Sequence, residues 1–134
     1  MQLRSAAALL VLLAAAGCGS GDDSTFTQDY NKAVSPLSRL GGHIGTKPAA
    51  FDRLARGTEA TRRNLAKLDP PDGARDELNA MLARLDDVTA DLRRVATTAR
   101  GHDVVKQRRA AKALVRSSTA VEKAETALKR AVQG

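Results

Sequence analysis

Cys18 is the one thiol in a chain of 134 residues, and it is the strongest nucleophile the sequence offers. A cysteine can be alkylated, oxidised, or bound to a metal once it is a thiolate, so its setting decides its chemistry. With no second cysteine an intramolecular disulfide is impossible. Cys18 stands one residue past an eleven-residue apolar run, Ala6 to Ala16, between Gly17 and Gly19. Small neighbours let the backbone enter a processing site extended and leave the thiol accessible. The setting leaves open a covalent modification, a free reactive thiol, or a cysteine incidental to a secretory signal.

Other reactive residue types are spaced for nothing comparable. His43 stands in the glycine-rich "GGHIG" and His102 beside Asp103 at a helix junction. A metal site inside a helical bundle needs Glu-x-x-His pairs projecting from facing helices, and none is present, so no metal site is expected. His102 is read as a cap or turn residue. Asp76-Glu77 and Asp86-Asp87 are adjacent pairs, which a helix points about 100° apart, so neither pair is placed to share a proton. The serines lack the Gly-x-Ser-x-Gly setting, and "GGHIG" lacks the Gly-x-x-x-x-Gly-Lys of a phosphate loop. No catalytic residue, no enzyme activity and no cofactor are therefore expected.

A cationic stripe is the remaining feature with shape. Arg109, Arg116, Lys123 and Arg130 recur every seven residues, with Lys112 beside them. On a helix they fall on one side, away from Leu114, Val121 and Leu128, and Arg93, Arg94 and Arg100 are expected to add to their charge. The net charge of +7 is concentrated there: residues 92 to 134 hold eleven basic and three acidic side chains. Such a stripe suits acidic lipid headgroups, an anionic envelope polymer or an acidic protein. A solvated face that keeps an alanine-rich helix soluble is the plainer reading. Nucleic acid is not expected, since no aromatic side chain is interleaved for base stacking.

The elements that would carry these residues are helices. Phe26, Tyr30 and Phe51 are the whole aromatic set, and alanine, leucine and arginine enter a helix at little cost. Phe26, Tyr30, Ala33, Leu37, Leu40 and Ile44 form a first stripe, with Pro36 expected to kink or divide the helix near Ser35. Phe51, Leu54, Thr58, Thr61, Leu65 and Leu68 form a second, opening at Pro48. Asp69 is read as N-cap of the third helix, with Pro70 as its first residue. That helix carries Leu78, Met81, Leu85, Val88, Leu92, Val95 and Ala99, and Gly101 ends it. The fourth runs from about Asp103 to Val132, with Ala110, Leu114, Ser117, Val121, Ala124, Leu128 and Ala131 as its seam. Short connections predict an all-α, up-down-up-down four-helix bundle over residues 26–134. The alternative is a long hairpin of the last two helices that dimerises through an exposed seam.

The N-terminus has the layout of an export signal: Arg4 supplies positive charge and Ala6 to Ala16 the apolar segment. That run is shorter than the roughly 20 residues needed to span a bilayer. Ala15-Ala16-Gly17-Cys18 resembles the lipobox of bacterial lipoproteins, with Ala15 where that family most often has leucine. The resemblance covers residues 1 to about 20. It implies cleavage between Gly17 and Cys18, a diacylglyceryl group on the Cys18 sulfur, and a protein held at the extracytoplasmic face of the cell membrane. Residues 1–17 would be signal peptide and 18–25, "CGSGDDST", a lipidated flexible tether. The body resembles the small, alanine- and arginine-rich helical lipoproteins of high-GC Gram-positive bacteria, through "LDPP" and "DYNKAVSPL". The expected function is a non-enzymatic binding or scaffolding module of the cell envelope. The alternatives are an accessory or sensor subunit of a membrane complex, and anionic polymer or lipid headgroup binding through the last helix.

Overall fold

The computed structural model describes residues 21–40 and 46–134, with side chains from 25 to 37 and from 46 onward. Cys18, Gly17, the export signal and His43 lie outside the described residues. Four helices follow in chain order and no strand occurs among the described residues: α1 (Gly21–Leu40), α2 (Pro48–Leu65), α3 (Arg75–Ala99) and α4 (Val104–Gln133).

Consecutive helices pack against one another, and cross-helix contacts fix their direction. Arg62 meets Asp86, Arg93 meets Glu59 and Arg100 meets Asp52, so α2 and α3 run antiparallel. One apolar cluster joins Phe26 and Tyr30 of α1 to Leu65 at the end of α2, to Leu78, Met81 and Leu85 of α3, and to Leu128 and Val132 of α4. A second joins Phe51 and Ala55 to Leu92, Ala96 and Leu114. This is the expected up-down-up-down bundle. In place of a bare hairpin, α1 and α2 cover the α3–α4 seam.

Three local expectations are corrected. First, Gly21 to Thr25, inside the stretch read as tether, already belong to α1. A helix already fixed by its packed stripe extends outward at the cost of ordering one residue per added hydrogen bond. Second, α1 is not divided at Pro36: one helix carries on through it. The proline ring withholds the N–H that would bond the Lys32 carbonyl, and Ser35 Oγ donates to that same carbonyl at 2.9 Å. Third, α3 begins at Arg75, not Pro70. Each proline of the Pro70-Pro71 pair pushes its predecessor away from helical backbone, and Gly73 takes a left-handed φ of 85°. The Ala74 N–H closes the turn on the Pro71 carbonyl at 3.1 Å. Asp69 caps nothing and instead accepts from Arg75 Nη2 at 2.6 Å.

Between the two apolar clusters lie Thr61, Thr89 and Ser117, all buried. Thr89 and Ser117 satisfy their hydroxyls on carbonyls of their own helices, Leu85 and Leu114, as Thr58 does on Leu54. Thr61 Oγ1 has no such partner. Burying an unpaired hydroxyl is costly, and valine keeps the same branched shape. Thr61→Val is therefore expected to raise unfolding free energy by about 1 kcal/mol. Urea denaturation checks it, and Thr58→Val, which deletes a made bond, serves as the contrast.

Candidate functional site

Helix α4 is held by a built corner. Asp103 is its N-cap, accepting from the Lys106 N–H at 3.1 Å. Gln107 Nε2 donates to the Thr98 and Gly101 carbonyls at 3.2 and 3.0 Å, tying the start of α4 to the end of α3. Gly101 stands just past α3 as expected, though not in the left-handed conformation of a typical glycine cap. His102 is an exposed residue of this turn, and the capping role belongs to its neighbour.

From that corner α4 buries Ala110, Leu114, Ser117, Val121, Leu128 and Val132. At 100° per residue, Arg109, Lys112, Arg116, Lys123 and Arg130 centre roughly 150° from that seam, and all five are exposed. The four arginine and lysine residues seven apart stand about 10 Å from one another along the axis. The stripe expected from sequence is thus brought onto one outward face.

What distinguishes this face is its lack of partners. Arg62 of α2, Arg75, Arg84, Arg93 and Arg94 of α3, and Arg100 just past α3 each meet a carboxylate. The expectation that Arg93, Arg94 and Arg100 add to the stripe is corrected on this ground, since Glu59, Asp91 and Asp52 offset them. Among the described residues, none of Arg108, Arg109, Lys112, Arg116, Lys123 and Arg130 lies in an ion pair. No carboxylate occurs between Asp103 and Glu122. Arg53, Arg56 and Arg63 of α2 are also unpaired, the nearby Asp52 and Glu59 being taken by Arg100 and Arg93, but α4 sets Arg108, Arg109, Lys112 and Arg116 along a stretch without any carboxylate. The acid pairs behave as adjacent helical residues should: Asp86 faces Arg62 while Asp87 faces Arg84.

One titratable pair lies at the α1–α4 contact. The buried Tyr30 hydroxyl donates to Met81 Sδ at 3.4 Å and interacts with the half-buried Glu125 carboxylate. Burial, and then Glu125, push the phenol well above its ordinary range. Burial likewise raises the Glu125 carboxyl, with Lys129 opposing, Glu122 adding, and the Tyr30 hydroxyl opposing. The folded state thus disfavours ionised Glu125. The penalty is present at neutral pH and fades as pH falls through the raised value toward the ordinary carboxyl pKa. Glu125→Gln is expected to stabilise the fold at neutral pH by about 0.5 kcal/mol, a figure discounted because water reaches this site. Thermal unfolding at neutral pH and near pH 4 should show the gain at the first and not the second.

The feature missed in the sequence is apolar. Val104, Val105 and Val115 are the large hydrophobic side chains left exposed among the described residues, at 61%, 58% and 57%. They lie off the α4 seam by a step their spacing already shows, since neither Val105 nor Val115 is three or four residues from Leu114. Among the described residues no three histidine, cysteine, aspartate or glutamate side chains gather as metal ligands, and no helix is long and apolar enough to cross a membrane. Comparison with protein-family models, curated proteins and solved structures gives no match.

Proposed function

We propose that this chain is a lipid-anchored, non-enzymatic binding module of a bacterial cell envelope, tethered through Cys18 and binding an anionic partner through the outer face of α4. The anchor rests on Ala15-Ala16-Gly17-Cys18 at the close of a short apolar run. The binding face rests on one observation: cations without carboxylate partners are gathered on α4, while every arginine of α3 is ion-paired. Free cations retain their full field for a partner, whereas paired ones are largely offset.

Photo-crosslinkers placed at two exposed positions test the assignment in intact cells. Thr119 stands beside the stripe and Asn79 on the outer side of α3. Adducts to an envelope component are expected from position 119 and not from 79. Equal labelling, or none from 119, would overturn it.

A further inference from the structure

The first half of α4 is unlike the second. From Val104 to Arg116 it exposes Val104, Val105 and Val115 together with Lys106, Arg108, Arg109, Lys112 and Arg116, and only Lys106 has a carboxylate, Asp103, beside it. Past Arg116 the cations continue at Lys123 and Arg130 with no exposed large hydrophobic among them. Helical geometry interleaves the two kinds of side chain. Val104, Arg108 and Val115 share one flank, and Val105, Arg109, Lys112 and Arg116 the next, over a strip about 18 Å long.

We propose that this strip docks on an anionic bilayer surface, the arginines and lysine meeting phosphate headgroups while the three valines enter the headgroup–acyl boundary. This rests on the anchored-module reading above, which places a bilayer within reach. Charge complementarity alone would serve a soluble polyanion equally, but a polyanion offers nothing to valine. An interface takes both, because apolar groups gain by leaving water and cations gain near anionic lipid. Long arginine and lysine stems allow the charges to stay at headgroup level while the backbone settles lower.

The fold adds a consequence for orientation. Phe26 and Tyr30 of α1 pack with Leu128 and Val132, so the chain enters the bundle at the end where α4 finishes. The strip lies at the opposite end. An anchored protein that docks through Val104–Arg116 must lie along the membrane, not stand on its tether.

Binding of the full lipidated chain to vesicles separates the two readings. Vesicles of phosphatidylcholine alone report the anchor; vesicles enriched in phosphatidylglycerol report anchor plus strip. An added affinity for the anionic vesicles, weakened by salt, is expected for the wild type. Changing Arg108, Arg109, Lys112 and Arg116 to Gln should remove it, a loss on the order of 1,000-fold. Val104→Gln, Val105→Gln and Val115→Gln together keep the charge and good helix propensity, and should still weaken anionic binding about tenfold. Unchanged thermal unfolding of both variants is expected, since every replaced side chain is exposed. Two outcomes overturn the inference: no added affinity for anionic vesicles, or an added affinity that the glutamines at the valine positions leave intact while polyphosphate competes it away. The second would assign the strip to a soluble polyanion. Weak binding to phosphatidylcholine with the anionic increment preserved would strike the anchor and leave the strip standing.

Discussion

Truncation of Leu65 to alanine is expected to lower unfolding free energy by about 3 kcal/mol, within the usual range for a fully buried leucine. Leu65 has no exposed surface. It closes α2 and belongs to the cluster with Phe26 and Tyr30 of α1, Leu78 and Met81 of α3, and Leu128 of α4. Neighbours on all sides restrict collapse into the vacated volume, so a cavity cost adds to the lost transfer energy. Against a total of about 5–15 kcal/mol for a domain, that is a large fraction. Urea unfolding should show a lower midpoint at an unchanged slope. Val105→Ala, at an exposed position of α4, should shift stability by less than about 0.5 kcal/mol. Equal effects at the two positions would contradict the placement of the core.

Exchange of Cys18 for serine should have the larger consequence for function. The thiolate is a far better nucleophile than a hydroxyl near neutral pH, so the proposed thioether to lipid should not form. Acyl chains hold a protein through roughly 0.8 kcal/mol per buried methylene, and two chains anchor where one binds only reversibly. An uncut apolar run of eleven residues is a poor substitute, being well short of a spanning length. Fatty-acid label on the protein should disappear, and the ratio of membrane-bound to free protein should fall on the order of 100-fold or more. Retained label, or an unchanged ratio, would exclude Cys18 as the acceptor.

How far the fold was legible varies by helix for physical reasons. The α4 seam reads directly, because Leu114, Val121 and Leu128 recur every seven residues and all are buried. Helix α3 reads only in part. Leu78, Met81, Leu85 and Leu92 are buried as expected, but so are Leu82, Thr89 and Ala96. These last three, spaced seven apart, form a second seam, since α3 packs on both α2 and α4. Threonine and alanine carry little hydrophobic signal, so one stripe stood for two. The start of α3 is ambiguous in sequence because a proline suits the first helical turn and equally ends what precedes it. Gly73, in the left-handed region, decides between the two.

The candidate face was legible as a spacing but not as a chemistry. Sevenfold recurrence puts Arg109, Arg116, Lys123 and Arg130 on one side without the structure. Whether a cation is offset depends on distant residues: Arg100 is met by Asp52 and Arg93 by Glu59, pairings set by the antiparallel register of α2 and α3. Val104, Val105 and Val115 fall outside the α4 seam by spacing alone, but that they stand exposed beside the cations depends on which neighbours cover them.

The most direct test of lipid anchoring is the intact mass of the protein extracted from membranes. The mature chain should begin at Cys18 and carry the added mass of a diacylglyceryl group on that first residue. A chain beginning at any other residue, or one beginning at Cys18 with a free thiol, would contradict the anchor and with it the function proposed for this bundle.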